Sequence, residues 1–591
     1  MIEFIQPITN LIIIPIILGI IISNILKKKD KILNTAILVF ISNIVFNISF
    51  YVHTKEIIIF SCSNSVLFEI LYVITIAVFM LGIEWIMHNF KTDIMYIYKK
   101  STFILGAITV VIYIYFGWLV GSNGRIEFNN FMYNLVTPIN TEAANFNLII
   151  MKLCIYALFM LVCLFIIYKR SKGIVGINKS NKNEVGRKLR MESKAFIILI
   201  VGLGLAAPAY AFHFDQAYAY FFLDDKLMEE KYISPNSVKI SFPTNKRNLV
   251  YIFMESYEST YFDKNSGGVY DNELLPNIKK ELENGTNFSH SDKYGGADSS
   301  INPSVTIDGM ATTLGGVNAF GRDNFKSGNT LPGLITLGDI LEVEGYNQTF
   351  IIGEDSKSYN IGPFFKEHGN NKVIGYETKQ ADGSVPKEYK VWWGFEDKKL
   401  YQFAKEELSS LSKEDKPFAI TLATNDTHPI GGYTDKSCKE EFDSKYENSI
   451  ACGDQLLGEF LEWLKEQPYY EQTTVVVVGD HLSGEKEIKL NYGEDPDRKV
   501  FNMILNGASP YKDYQTKNRQ FYASDMFPTT LSALGVEIEG DRLGIGTNLY
   551  SNKKTIVEEK SLEEINARLK LPSNFYNDEF VFEKNNYQKK S

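Results

Sequence analysis

The stretch "TTVVVVGDHLSG" (473–484) runs four valines straight into Gly479, Asp480 and His481. A run built for burial ends in two residues that bind metals and protons. Other apolar runs end alike: "NLVYIFME" at Glu255, "NQTFIIGED" at Glu354 and Asp355, and "PFAITLATNDTH" at Asn425, Asp426 and His428. Carboxylates with a histidine, and neither CxxC nor HExxH, suit a divalent ion: Mn²⁺ or Mg²⁺, or zinc in a mixed oxygen–nitrogen site. Glu255, Asp480 and His481 supply three ligands. A hydroxyl from the Gly/Ser-rich turn "YGGADSSINPSVTIDGMATTLGG" (294–316) supplies a fourth and doubles as nucleophile, because metal binding lowers its pKa. Ser299, Ser300, Ser304 and Thr306 are the candidates there. A helix starting in that turn would favour an anionic substrate group.

These residues need a scaffold. From about residue 247, short apolar strands alternate with amphipathic helices, such as "KKLYQFAKEELSSL" and "YENSIACGDQLLGEFLEWLKEQ". Fully apolar strands alternating with helices predict an α/β domain around a largely parallel sheet. Ligands of such sheets bind outside the carboxyl ends of the strands, where these residues stand.

The first third differs in kind. Six segments have about the twenty apolar residues a bilayer crossing needs: roughly 5–26, 33–53, 67–89, 102–121, 148–168 and 195–213. "KKKDK" (27–31), "KTDIMYIYKK" (91–100) and the basic stretch 168–194 follow the first, third and fifth. Basic loops alternate with poor ones, which predicts an external N-terminus and everything after residue 214 outside the cytoplasm. The expected division is a transmembrane domain at 1–214, a linker at 215–246, an extracellular catalytic domain at 247–552, and a C-terminal helix with a fraying polar tail at 553–591. Ala209 and Ala211 form a small-x-small pattern that a signal peptidase could cut; packing between helices is the alternative. Cys438 and Cys452 are the two cysteines of the outer region, and a disulfide between them suits an extracellular location. The net charge of −9, with no basic motif, argues against nucleic acid as partner.

Several stretches together resemble the phosphoglycerol transferase and lipoteichoic acid synthase group of the sulfatase/alkaline phosphatase superfamily. They are "NLVYIFMESYESTYFD", "SVTIDGMATTLGG", "VWWGFEDKKLYQFA", "TLATNDTHPIGGYTDKSC", "VVVVGDHLS", "YASDMFPTTLSALGV" and "GDRLGIGTNLYS". The resemblance implies membrane spans followed by an extracellular sulfatase-like α/β domain. It implies Glu255, Thr306, Asp480 and His481 as metal ligands, manganese first with magnesium or zinc as alternatives. Thr306 would be the nucleophile, although Val305 stands where closer relatives carry Trp. His428 would face the substrate phosphate, Trp393 would line the glycerol-phosphate pocket, and Arg498 would contact the phosphate. A true sulfatase is disfavoured, since "INPSVT" only partly echoes CxPSR. The implied reaction takes phosphoglycerol from phosphatidylglycerol, through the threonine, to a cell-envelope glycan or a teichoic acid (polyglycerolphosphate) acceptor. The alternatives are a phosphoethanolamine transferase or a phosphodiesterase/sulfatase. In another class, the chain would be an inactive membrane protein that binds lipid or polymer.

Overall fold

The computed structural model describes residues 222–299, 306–318, 330–485, 497–582 and 584–590. The six apolar segments, Ala209 and Ala211 lie outside the described residues, as do Ser300, Ser304 and Val305. Among the described residues no helix is long and apolar enough to cross a membrane.

The strands that matter here are β1 (Ile240–Ser241), β2 (Asn248–Met254), β3 (Gly296–Ala297), β4 (Asn347–Ile352), β5 (Lys372–Ile374), β6 (Phe418–Ala423), β7 (Thr473–Gly479), β8 (Val500–Leu505) and β9 (Glu537–Ile538). Seven form one sheet in the order β3-β8-β7-β2-β6-β4-β5. The five strands from β7 to β5 are parallel; β8 and β3 add an antiparallel edge. The helices that matter here are α1 (Thr306–Gly315), α2 (Asp397–Leu411), α3 (Lys445–Lys465) and α4 (Met526–Ala533).

The valine run is the strand its composition predicts. Val475 and Val477 join a core with Val250, Ile252, Ile420 and Leu422, and with Leu400, Leu408, Leu457 and Leu461 of α2 and α3. Val476 and Val478 are just as buried but lie outside that cluster, because successive strand residues point to opposite faces. A sheet buried on both faces favours apolar residues along its strands, and charged groups wait for the strand ends.

Residues 222–246 do more than link. Helix Leu227–Lys231 leads into β1, which pairs antiparallel with β9 through Ile240 and Ile538. The C-terminal tail is also held, which differs from the fraying expected. Tyr587 is buried, Lys589 Nζ lies 2.6 Å from Glu344 Oε1, and the Gln588 amide donates to Asn236. Both belong to the compact unit Ala219–Ser591. A two-residue strand and a single anchoring tyrosine leave no periodic pattern to read.

Cys438 and Cys452 form a disulfide that ties the loop before α3 to the helix itself. Closing a loop of sequence separation 14 restricts the unfolded chain, by about 3 kcal/mol in the loop-entropy account. The double substitution Cys438→Ser/Cys452→Ser is therefore expected to lower the denaturant midpoint. An unchanged midpoint would show that the bridge contributes nothing to stability.

Candidate metal centre

The parallel register aligns the strand ends. Met254 pairs with Gly479, Phe253 with Ala423, and Ile352 with Ala423. Glu255, Asp480–His481, the 424–428 turn and the 353–355 turn therefore emerge along one edge of the sheet.

Glu255, Asp480 and His481 are all buried, and each offers one ligand atom within 4.8 Å of the others. His481 Nε2 lies 3.6 Å from Glu255 Oε1 and 3.3 Å from Asp480 Oδ2. His481 Nδ1 sits 3.0 Å from the Leu482 carbonyl. A carbonyl only accepts, so Nδ1 carries the proton of the neutral ring, and Nε2 turns a lone pair toward the carboxylates. Asp480 Oδ1 accepts the Ser256 amide at 2.7 Å and the His481 amide at 2.8 Å. Its Oδ2 is buried with no hydrogen-bond partner.

Ser256 was not singled out by sequence reasoning. It adopts φ 57°, aims its amide at Asp480, and donates its hydroxyl to Glu255 Oε1 at 2.6 Å. Thr424 Oγ1 accepts the Glu255 amide, and the Thr427 hydroxyl donates to the Glu255 carbonyl. The order Glu-Ser after a buried strand was the only signal available, and it is a weak one.

Burial pushes Asp480 up to about 7, and the Glu255 carboxylate pushes the same way. Burial lowers the His481 pKa, but Asp480 and Glu255 outweigh it and raise it. Two buried carboxylates this close call for a proton or a cation. An orphaned carboxylate oxygen and a free imidazole lone pair make the cation the better fit, and an O,O,N set suits a borderline divalent ion.

Thr306 is the first residue of α1, with Oγ1 3.4 Å from Glu255 Oε2. The helix is docked tightly: a Cβ on Gly309 would come within 1.9 Å of the Asp480 carbonyl oxygen. "TIDGM" thus carries its glycine because the helix backbone lies against the metal-ligand loop. Gly479 has a related reason. It is not left-handed; a Cβ there would meet the Tyr257 carbonyl oxygen at 2.0 Å.

His428 Nδ1 sits 2.6 Å from the Pro429 carbonyl, which leaves its Nε2 a free acceptor. Burial lowers its pKa, so the ring is neutral at pH 7. The Trp393 ring packs on it with centroids 4.6 Å apart.

Arg498 departs from the expectation. It grips the fully buried Glu258 with two nitrogens, Nε at 2.8 Å from Oε2, and donates to the Ser483 carbonyl at 2.7 Å. Its charge is matched by the buried Glu258. Glu258 also accepts the Ser483 amide, so the pair clamps the loop after β7 to the loop after β2. Asp426 also stands apart from the metal ligands. It accepts the Asp397 amide at 2.9 Å, while Asp397 accepts the Asn425 amide at 2.8 Å, which interlocks the turn with the start of α2. Burial pushes Glu354 up to about 8, and Glu255 adds to it.

Residues 247–536 match the family model described as Sulfatase. This stretch is a sulfatase-family domain. The sulfatase domain therefore holds the whole cluster, from Glu255 to His481, together with Arg498. Phosphoglycerol transferase I of Salmonella choleraesuis (strain SC-B67) is 30% identical over 328 residues, which are 53% of this chain and 40% of that protein. Phosphoglycerol transferase I of Escherichia coli O6:K15:H31 matches over the same share. The chain thus spans less than half the length of these curated relatives. Among solved structures, the lipoteichoic acid synthase LtaP of Listeria monocytogenes is 16% identical with a TM-score of 0.42, over 55% of this chain and 81% of that one. The lipooligosaccharide phosphoethanolamine transferase A (EptA) of Neisseria meningitidis is 14% identical with a TM-score of 0.45, over 84% of this chain and 95% of that one.

Proposed function

We propose that this protein is a metal-dependent phosphotransferase of the cell membrane. It moves phosphoglycerol from phosphatidylglycerol, through a covalent threonine intermediate, to a cell-envelope glycan or polyglycerolphosphate acceptor. The observation that carries the reading is a hydroxyl, Thr306 Oγ1, 3.4 Å from the carboxylate of a buried Glu255–Asp480–His481 cluster. Sequence likeness to phosphoglycerol transferase I supports the headgroup. The apolar segments within 1–214 would hold the outer domain close to a donor embedded in the bilayer.

Glu255, Asp480, His481 and Thr306 would hold the divalent ion, manganese first. When bound, the ion stabilises negative charge on phosphate oxygens and favours the alkoxide of the threonine. Thr306 Oγ1 attacks phosphorus, the bond to the diacylglycerol oxygen breaks, and a glycerophospho-threonine forms. An acceptor hydroxyl then attacks phosphorus and frees the threonine. In this reading His428 balances the protons of each step: its unprotonated Nε2 relays the threonine's proton to the departing diacylglycerol oxygen, and then the acceptor's proton to the threonine oxygen as it is freed. The N-terminus of α1 favours the anionic phosphate.

The test uses the full chain in phosphatidylglycerol vesicles with Mn²⁺ and a headgroup-labelled donor. Peptide mass spectrometry after an acid quench should find the label on Thr306. Label on Ser299, Ser300 or Ser304 would move the nucleophile. Transfer from phosphatidylethanolamine alone would replace the headgroup.

A further inference from the structure

Trp392 is held at a conformational cost that the reaction above does not explain. Val391 and Gly394 pair with each other in both directions, at 2.7 and 3.1 Å, and enclose a two-residue turn made of Trp392 and Trp393. Trp392 is the first central residue and adopts φ 55°. A left-handed first position in a tight turn favours glycine, and a bulky side chain there is an outlier. The indole Nε1 is shut from solvent and has no acceptor. Both features count against Trp392 as a stabilising residue, and strain of this kind clusters at functional sites.

The turn stands at the metal centre. Trp393 packs its ring on His428. Trp392 remains half-exposed, with Lys445 Nζ 5.5 Å from its ring centre. The Lys445 side chain also runs beside the loop that follows His428, with Cδ 3.6 Å from the Cβ position of Gly431. One tryptophan thus faces the reacting histidine, and its neighbour offers a half-exposed aromatic surface just outward.

We infer that Trp392 is the stacking platform for a sugar ring of the acceptor, placed so that a hydroxyl of that sugar or its neighbour reaches His428. This rests on the transferase reading and narrows its acceptor to a glycan. A sugar ring presents a flat face of C–H groups that an indole can cover, with polar edges left for water and for Lys445. A polyglycerolphosphate chain has no such face. It would be met by several cations, whereas Lys445 is the one cation over Trp392 among the described residues.

The experiment measures calorimetric binding of maltotetraose, cellotetraose, chitotetraose and a glycerol phosphate trimer to the full chain in detergent micelles with Mn²⁺. At least one tetrasaccharide should bind the wild type. Trp392→Gly should weaken it about tenfold or more, the scale of one lost aromatic contact, with Trp392→Phe close to the wild type. The melting temperature of Trp392→Gly should equal or exceed the wild type's, because glycine relieves the left-handed backbone; a purely structural tryptophan would lower it. The inference is overturned if no tetrasaccharide binds, if Trp392→Gly leaves their affinity unchanged, or if it weakens the glycerol phosphate trimer equally. Binding is read without turnover, so a wild type that binds sugar yet takes no label from phosphatidylglycerol would sink the transferase reading, and with it the acceptor's role, while leaving the sugar site at Trp392 standing.

Discussion

Thr306→Ala is expected to lower phosphoglycerol transfer by roughly a thousandfold or more, the usual consequence of removing a covalent nucleophile. The fold should survive. Thr306 is half-buried at the first turn of α1, and its one recorded side-chain bond is long at 3.4 Å, so the stability change should stay within about 1 kcal/mol. Thr306→Ser keeps an oxygen at the same place and should retain measurable turnover. Headgroup transfer from labelled phosphatidylglycerol, with the melting temperature as control, decides the matter. Activity within tenfold of the wild type in the alanine variant would mean that another hydroxyl attacks. The adjoining serines would then be the next substitutions.

Removing the divalent ion should abolish transfer and change how stability depends on pH. Without a cation, Asp480 must ionise in a buried site beside Glu255, which pushes its pKa up to about 7. In the unfolded chain the same carboxyl titrates near 4. Below that value both states are protonated and there is no penalty. Above it the unfolded state loses its proton more readily, so the folded state is progressively disfavoured until the pH passes about 7. The full cost is on the order of 4 kcal/mol, from the linkage between pKa and stability. Chelated protein should therefore be less stable at pH 7.5 than at pH 5, by more than the Asp480→Asn variant is. Asp397 and Asp525 are also pushed up by burial, and they contribute equally to both proteins. Returning Mn²⁺ should restore the wild type at pH 7.5 and not the variant. Identical pH profiles for chelated wild type and Asp480→Asn would show that Asp480 carries no such penalty, and equal recovery of both on returning Mn²⁺ would remove it from the metal site.

Much of this was visible along the chain because the signals are local. An apolar run such as Thr473–Gly479 has to be buried on both faces, and its abrupt polar ending marks where burial stops. Glu255, Asp480, His481 and His428 stood out for that reason, and the alternation of strand and helix made the α/β sheet legible. The pairing of Arg498 was not legible because its partner, Glu258, lies in a loop with no pattern of its own. Asp426 shows that an acid at a strand end serves as well to interlock a turn as to bind an ion. Ser256 was overlooked because its contribution depends on a backbone conformation that sequence does not advertise.

The sequence by itself determined which residues are chemically able to act and that they sit at strand ends, since hydrophobic periodicity and residue type are properties of neighbours along the chain. Tertiary structure alone decided which of them meet. The parallel register set Glu255 beside Asp480, and the docking of α1 through Gly309 brought Thr306 to Glu255. The Leu482 and Pro429 carbonyls chose the tautomers of His481 and His428. Such choices depend on distances of a few ångströms and on contacts between segments far apart in the chain, and no local pattern encodes either.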